Sequence, residues 1–244
     1  MEIKVMTFNI HHGKGMDGKV DLKRIVSVIE HSGADYISLN EVDRFFSKRS
    51  NFEDQIAWIA KELNLHHAYG PALTFTIKGS MEVRQYGNGF LSKFPIESQI
   101  NHLFYPKGLE GRSLLEIDTQ FQGNALKVFV THLSLNPFVR HKQIDFITDK
   151  IKDESKPVII MGDWNMKPGT KAWHKITQHL QDACHMALVG PIYTYPSKKP
   201  RSQLDYIFVN EHIHISSVEI VAHVPDASDH LPLKATLRLK NHLF

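Results

Sequence analysis

Polar residues that could act on a substrate lie at the ends of apolar, alternating segments of this chain. Near the C-terminus, Asp229 and His230 stand side by side directly before such a segment. Asp is a common turn residue, so this pair alone is also consistent with a polar turn ahead of a strand. Similar polar residues lie at the ends of other strand-like segments: Asn9, Glu41, His132, Asp163, Asn165 and Asp205. Because sites in layered folds form where strands meet loops, the repetition indicates one shared site.

The side-chain types in this set are those needed to hydrolyse a phosphate ester. The reaction needs an in-line nucleophile, neutralisation of charge on the non-bridging oxygens and help for the leaving oxygen. The carboxylate of Glu41 and the amide carbonyl of Asn9 are oxygen ligands suited to a hard cation such as Mg²⁺. A zinc site is disfavoured, since the chain has one cysteine and no H-E-x-x-H motif.

His230 is the candidate base, because an unperturbed imidazole has a pKa of about 6.5. A carboxylate should fix its tautomer, and two candidates compete. Asp229 is adjacent in sequence, but neighbouring side chains on an extended segment point to opposite sides. Asp205 opens another predicted strand and can approach through space, so geometry favours Asp205.

Hydrophobic periodicity predicts the elements that position these residues. Strands are predicted at 2–10, 35–42, 157–165, 203–209, 215–224 and 231–239. Helices are predicted from the Asp21 cap to Gly33, and at 52–64, 138–151 and 169–180. Between them, residues 66–133 consist of short alternating segments and turns, which predicts an antiparallel meander. Strands interleaved with helices favour two stacked sheets covered by helices, an α/β fold.

Composition limits the class of protein. A chain of 244 residues, 42% hydrophobic and without a linker or repeat, predicts a single domain over residues 1–244. Cys184 is the single cysteine, which excludes a disulfide framework. With no signal peptide and no apolar run near the roughly 20 residues of a membrane span, we expect a cytoplasmic monomer. The net charge of +3 is far from that of a nucleic-acid-binding tail.

Short motifs along almost the whole chain resemble the endonuclease/exonuclease/phosphatase superfamily of metal-dependent phosphoesterases. In order, they are TFNI, LNEVDR, GNGFLSKFPI, GRSLLEI, VTHL, MGDWN, QLDYIFV and SDHLP. That superfamily includes pancreatic-type deoxyribonucleases, abasic-site endonucleases, bacterial sphingomyelinases and inositol-polyphosphate 5-phosphatases. The resemblance runs from Thr7 to Pro232. It implies a four-layer α/β sandwich, with two stacked mixed β-sheets flanked by helices.

The resemblance also implies a metal site and a dyad. Residues matching Asn9 and Glu41 hold the metal, which we expect to be Mg²⁺ or Mn²⁺, and the residue at Asp229 can join a metal site. The aspartate of the LDY motif, Asp205, is the family partner of the histidine at 230. The resemblance thus implies that Asp229, on the side of the metal, and His230 both face one substrate phosphate. Whether His230 deprotonates water or stabilises the phosphoryl group stays open.

Further residues would act on the water or the phosphate. Asp163 would orient the nucleophilic water or manage its proton, while Asn165 and His132 would donate hydrogen bonds to phosphate oxygens. Arg112 matches a family arginine near the substrate phosphate, although a surface ion pair explains it equally well. Asn88 lies on a recurring family strand, with turn chemistry as its alternative.

The sequence supports a functional role less specifically for two basic segments. Arg44 could reach the substrate phosphate or pair with Asp43, which precedes it. The charged run at 197–201 fits a solvated loop, and its place just before Asp205 also allows phosphate contact.

These observations predict a hydrolase of phosphodiesters or phosphomonoesters acting on a small or lipid-linked substrate. The EVDR and TYPSKKP segments resemble those of small bacterial members of the superfamily. Nucleic acid is a possible partner but is not favoured, since 29 basic residues are matched by 26 acidic ones. A DNA endonuclease or exonuclease is the alternative enzyme. A non-catalytic nucleic-acid-binding or scaffold protein is the other class, and it should have lost a residue such as Glu41 or His230.

Overall fold

The computed structural model describes residues 2–77, 83–106, 108–187 and 190–240. Its strands, numbered along the chain, are β1 (Glu2–Asn9), β2 (Tyr36–Arg44), β3 (His66–Thr76), β4 (Val83–Ser92), β5 (Ile96–Phe104), β6 (Arg112–Phe121), β7 (Asn124–His132), β8 (Val158–Asp163), β9 (Gln181–Asp182), β10 (Asp205–Val209), β11 (Ile213–Ile220) and β12 (Leu233–Leu239). Its α-helices are α1 (Leu22–Ser32), α2 (Gln55–Leu63), α3 (Pro137–Ile151), α4 (Lys171–Ile176) and α5 (Ala183–Met186).

The strands form two mixed sheets, each with a parallel pair near its middle. The first sheet has the order β11-β12-β1-β2-β4-β3 and the second the order β5-β6-β7-β8-β10-β9. The pairs β1–β2 and β7–β8 are parallel, and the other described pairings are antiparallel. Parallel neighbours need a crossover, which is α1 in the first sheet and α3 in the second. Each pair therefore brings two carboxyl ends to one edge of its sheet.

Local sequence explains why the first crossover is a helix. The side chain of Asp21 accepts a hydrogen bond from the backbone nitrogen of Lys23 at 3.0 Å, which caps the first turn. Ile25, Val28 and Ile29 recur at helical spacing and are buried. Gly33 ends the helix in the left-handed conformation, with φ of +61°. The predicted bounds of this first helix are thus confirmed, whereas the helix predicted at 169–180 is shorter and spans Lys171–Ile176.

Three apolar clusters hold the layers together. One lies between the two sheets and includes Val5, Phe90, Leu115, Val130 and Ile207. A second joins the outer face of the first sheet to α1 and α2, and a third joins the outer face of the second sheet to α3 and α4. The predicted four-layer α/β sandwich is confirmed.

The predicted meander over residues 66–133 is divided between the two sheets. Strands β3 and β4 pair with each other and extend the first sheet, whereas β5, β6 and β7 pair in the second. The chain changes sheet at residues 93–95, where Pro95 has no backbone N–H to continue a ladder. Among the described residues, none of the helices has the length and hydropathy needed to span a membrane.

Candidate active site

The carboxyl ends of the two parallel pairs face each other across the sandwich, and the candidate residues lie there. In the first sheet Asn9 is in register with Asn40, the residue before Glu41. In the second sheet His132 and Asp205 are both in register with Asp163, one on each side. Register alone therefore brings these polar side chains to one edge.

Buried amides connect the two sheets at this edge. Asn9 Nδ2 donates to Asp163 Oδ2 and to Glu41 Oε1, both at 3.1 Å. Asn40 Oδ1 accepts from the backbone nitrogen of Asp163 at 2.9 Å. Asn40 Nδ2 in turn donates to the carbonyl of Thr131 at 3.0 Å. These bonds fix the position of Asp163 from the opposite sheet.

Asn88 belongs to this framework and is not among the residues that line the pocket. It is 1% exposed, and its Oδ1 accepts from Asn40 Nδ2 at 2.8 Å. Its own Nδ2 donates to the carbonyl of Ser113 at 3.0 Å. With its amide satisfied in this way, Asn88 supports Asn40 and is not placed to touch a phosphate.

His230 pairs with Asp205 and not with its neighbour Asp229. His230 Nδ1 and Asp205 Oδ2 are 2.8 Å apart, and both side chains are buried. Asp229 points elsewhere, with its Oδ1 at 3.7 Å from Nδ1 of His11. The Ser228 hydroxyl donates to the carbonyl of Asn9 at 2.7 Å, which anchors this loop to β1.

The free ring nitrogen of His230 faces Asp163. Its Nε2 is 3.7 Å from Asp163 Oδ2, and Nε2 of His132 is 3.5 Å from the same oxygen. Asn165 lies beside them, with its backbone nitrogen donating to Asp163 Oδ1 at 2.9 Å. The imidazoles of His132 and His230 thus both approach Oδ2 of Asp163.

Burial and charge shift the pKa values of these groups. Burial, aided by the charge of Asp205, raises the pKa of Asp163 to about 7. Burial alone would lower the pKa of His230, but the carboxylates of Asp205, Asp163 and Asp229 outweigh it and raise the pKa to about 10. Burial and the charge of Arg112 hold the pKa of His132 well below its usual range. These shifts favour the protonated form of His230, the neutral form of His132 and a protonated carboxyl at Asp163 more than is usual for each group.

A second cluster lies at Glu41. Glu41 has a φ of +59° at a break in the β2–β4 register, so its side chain leaves the regular ladder. His11 and His12 each offer a ring nitrogen that lies, together with a Glu41 oxygen, in a group within 4.8 Å of one another. Burial, then Arg49 and His11, lower the pKa of His12 to about 4. A carboxylate flanked by two imidazole nitrogens fits a divalent cation.

Several members of these two clusters line a pocket of about 470 Å³. Its wall contains the candidate residues Glu41, Arg112, His132, Asp163, Asn165, Asp229 and His230. Apolar and aromatic side chains complete the wall: Phe46, Leu73, Tyr86, Leu135, Tyr195 and Leu204. A larger cavity of about 620 Å³, at Asp182 and Gln203, shares no described lining residue with it.

The arginines of the pocket are Arg112 and Arg49. Arg112 is 5% exposed and its Nη1 lies 2.8 Å from Glu110 Oε1, so it forms an ion pair and also lines the pocket. Arg49 holds Asp43 through two bonds of 2.7 and 2.8 Å. Arg44 pairs with Asp54 at 2.9 Å and is not among the described lining residues.

Comparison with known proteins assigns the chain to one family. The family described as "Endonuclease/Exonuclease/phosphatase family" matches residues 6–230. The chain belongs to this family. Its members are hydrolases that act on phosphate esters and typically use divalent metals.

Relatives cover the whole length of the family domain. The "Uncharacterized protein YbhP" of Escherichia coli K12 is 27% identical over 254 residues, covering 97% of this chain and 96% of its own. An endonuclease/exonuclease/phosphatase structure from Beutenbergia cavernae superposes with a TM-score of 0.84 at 24% identity, covering 98% of this chain and 72% of its own. The mannosyl-6-phosphatase Bt3783 of Bacteroides thetaiotaomicron gives 0.78 at 16% identity, covering 97% and 100%. At these identities the structures establish the fold alone.

Sequence reasoning missed three kinds of residue in the site of this family member. Arg49 was overlooked because Arg44 is adjacent to Asp43, yet alternation along β2 sends those two side chains to opposite faces. Asn40 was overlooked because it lies inside a strand and not at its end. The third kind is the histidine pair at 11 and 12. Its sequence signal is the HHG run at 11–13, in which two imidazoles follow the end of a strand and precede a glycine.

Proposed function

We propose that this protein is a divalent-metal-dependent phosphoesterase that hydrolyses a small or lipid-linked phosphodiester or phosphomonoester. The observation that carries the proposal is the Asp205–His230–Asp163 arrangement: a 2.8 Å carboxylate–imidazole pair whose second nitrogen faces another carboxylate at 3.7 Å. This arrangement lies in a pocket that also holds Glu41 and Arg112. Together they supply a base, a cation and a metal ligand for one phosphate.

The chain offers suitable ligands for the metal. Glu41 would hold the ion directly, and Asp229 is a second carboxylate of the same pocket. Asn9 uses its Oδ1 for the backbone nitrogen of His11 at 3.1 Å and its Nδ2 for Glu41, so we assign it to orienting Glu41 as well as to the metal site. When bound, Mg²⁺ or Mn²⁺ would polarise the phosphoryl group and offset its negative charge.

The protonation states suggest how the residues divide the work. Asp163, with its pKa raised to about 7, would accept the proton of the attacking water. His230, held as a cation by Asp205, would donate a hydrogen bond to a non-bridging oxygen as negative charge builds on it. The P–O bond to the leaving group breaks as water adds, the leaving alkoxide on the opposite side of phosphorus takes a proton from solvent, and Asp163 returns its proton to solvent. His230 is thereby assigned as a phosphoryl stabiliser.

The remaining residues would hold the substrate. Arg112 would bind a phosphate oxygen in exchange for Glu110, with which it now pairs at 2.8 Å. Asn165 and His132 line the pocket beside Asp163 and would donate further hydrogen bonds.

The pocket supports a compact or lipid-linked substrate over duplex DNA. Duplex binding relies on many Lys and Arg contacts to phosphates, whereas here aromatic and aliphatic side chains share the wall. Leu135 lines the pocket and is 73% exposed, and Phe138 in the next turn is 81% exposed. Tyr105 and Leu109 are also exposed in the segment that carries Glu110. The exposed Leu135 in the pocket wall suits an ester with an apolar portion.

A substrate panel tests this assignment. Wild type and Asp205→Asn would be assayed with Mg²⁺ or Mn²⁺ on bis-p-nitrophenyl phosphate, p-nitrophenyl phosphate, phospholipid vesicles, plasmid DNA and abasic-site duplex. We expect higher kcat/KM on a small or lipid-linked ester than on either DNA, and loss of that activity in Asp205→Asn. Robust nicking of DNA with little turnover of the other substrates would favour the nuclease alternative.

A further inference from the structure

Two consecutive imidazoles beside Glu41 are held in an uncommon backbone conformation. His11 and His12 both have a φ of +46°, and Gly13 follows with a φ of +77°. Left-handed backbone is unfavourable for a residue other than glycine. Such strain persists only where the surrounding structure imposes it, and it is concentrated at functional sites.

Buried groups impose this turn from both neighbouring strands. Gln55 is fully buried, and its Nε2 donates to the carbonyl of His12 at 2.7 Å while its Oε1 accepts from the backbone nitrogen of Asp43 at 3.0 Å. Asn9 Oδ1 accepts from the backbone nitrogen of His11 at 3.1 Å. The turn is therefore tied to β1 through Asn9 and to β2 through Gln55.

The result is a compact set of nitrogen and oxygen donors. Ring nitrogens of His11 and His12 and a carboxylate oxygen of Glu41 lie within 4.8 Å of one another. The His12 side chain is 9% exposed, and its ring packs edge-to-face on that of His11 with centroids 4.6 Å apart. Two imidazoles are thus held together beside a carboxylate, and imidazole nitrogen with carboxylate oxygen is a donor set that binds a divalent transition ion.

We propose that His11 and His12 provide nitrogen ligands beside Glu41, and that this site selects a first-row transition ion over Mg²⁺. Two imidazoles and one carboxylate form a donor set that holds Zn²⁺ in other enzymes. Imidazole favours transition ions, whereas Mg²⁺ favours oxygen ligands and retained water. This inference rests on the proposed function in one respect: the bound ion would be the metal used for phosphate-ester hydrolysis.

Substitution of both histidines by asparagine tests the nitrogen ligands without changing the backbone turn. Asparagine tolerates left-handed backbone better than most residues, so His11→Asn and His12→Asn should keep the turn. It also replaces a nitrogen donor with an amide oxygen, which moves the site towards the preference of Mg²⁺. The matched control is His31→Asn with His223→Asn, an exposed stacked pair with centroids 4.0 Å apart that belongs to neither candidate ligand group.

Pulsed electron paramagnetic resonance of bound Mn²⁺ reads the ligands directly. We expect nitrogen coupling in the wild type and in the control, and its loss in the His11→Asn/His12→Asn variant. By calorimetry, the ratio of Co²⁺ to Mg²⁺ affinity should fall at least about tenfold in that variant. Wild type without nitrogen coupling, or a variant that keeps the wild-type coupling and affinity ratio, would overturn the proposal.

Hydrolysis of bis-p-nitrophenyl phosphate by the same preparations separates this inference from the proposed function. Metal-dependent hydrolysis without nitrogen coupling contradicts the ligand assignment and leaves the phosphoesterase standing. Nitrogen coupling lost in the variant, but with no hydrolysis of any ester by wild type, supports the metal site and contradicts the phosphoesterase.

Discussion

Nδ1 of His230 lies 2.8 Å from Oδ2 of Asp205, although 25 residues separate them in the chain. The neighbouring Asp229 is turned towards His11 at 3.7 Å instead. One carboxylate thus sets the orientation and charge of the imidazole, and the other faces the Glu41 side of the pocket. Adjacent acids and bases in a sequence can serve different parts of one site.

Removing either member of the His230–Asp205 pair should cost most of the activity. His230→Ala should lower kcat by about 10²–10³, the usual cost of removing one preorganised hydrogen-bond donor to the charge that develops in the transition state. Asp205→Asn should share much of that loss, and the double variant should be little worse than either because the residues act as a unit. Steady-state kinetics with saturating metal would measure this. If Asp229→Asn reproduced His230→Ala while Asp205→Asn stayed near wild type, the pairing would be wrong.

The dependence of activity on pH should have two limbs. Asp163 accepts a proton only when ionised, and its pKa is raised to about 7, so kcat/KM should rise as pH increases through that value. His230 stabilises charge only when protonated, and its pKa is raised to about 10, so activity should fall above that pH. Asp205→Asn removes a charge that raises the pKa of His230, and should move the alkaline limb to lower pH. An acid limb near pH 4 in wild type would contradict the role given to Asp163.

Asn40 should matter for stability as well as for activity. Replacing it by Ala leaves the backbone nitrogen of Asp163 and the carbonyl of Thr131 without their buried partner. Each orphaned group costs about 1–3 kcal/mol, so we expect a loss of at least about 2 kcal/mol in the free energy of unfolding. Urea denaturation measures it. Asn124→Ala, at the exposed start of β7, is the matched control and should change stability little.

Lysine substitutions at the three arginines near the pocket should have different effects on KM. Arg112→Lys should raise KM, since a single ammonium cannot reproduce the guanidinium fork in the pocket. Arg49→Lys should also raise KM, because Arg49 lines the pocket. Arg44→Lys should leave KM unchanged, since Arg44 pairs with Asp54 outside the lining residues. Equal effects of the Arg44 and Arg112 variants would contradict this placement.

The elements of the fold were predictable because each has a local cause. The Asp21 cap, the helical spacing of Ile25 and Ile29 and the left-handed Gly33 bound α1 without reference to the rest of the chain. The division of residues 66–133 between two sheets has no such local cause. It depends on which edge strand each segment meets, and alternation alone carries no information about the partner.

The site was predictable to the extent that its residues end strands. Asn9, His132 and Asp163 were found in this way, and strand register brings them together. Asn40 escaped notice because its role is to bond across to the other sheet, a contact that only the stacking of the two sheets creates. The adjacent histidines at 11 and 12 are not at a ligand spacing in the sequence, and they were not predicted as ligands because their approach to Glu41 depends on left-handed backbone angles.

Metal-dependent ester hydrolysis tests the central claim most directly. Wild type, Glu41→Gln and Asp163→Asn would be stripped with chelator and assayed on bis-p-nitrophenyl phosphate and a phospholipid as Mg²⁺ or Mn²⁺ is added back. The account predicts no turnover by the stripped wild type, recovery with added metal, a requirement for much more metal in Glu41→Gln, and a kcat lowered by about 10²-fold or more in Asp163→Asn. Undiminished hydrolysis by fully chelated wild type, or wild-type kinetics in both variants, would contradict it.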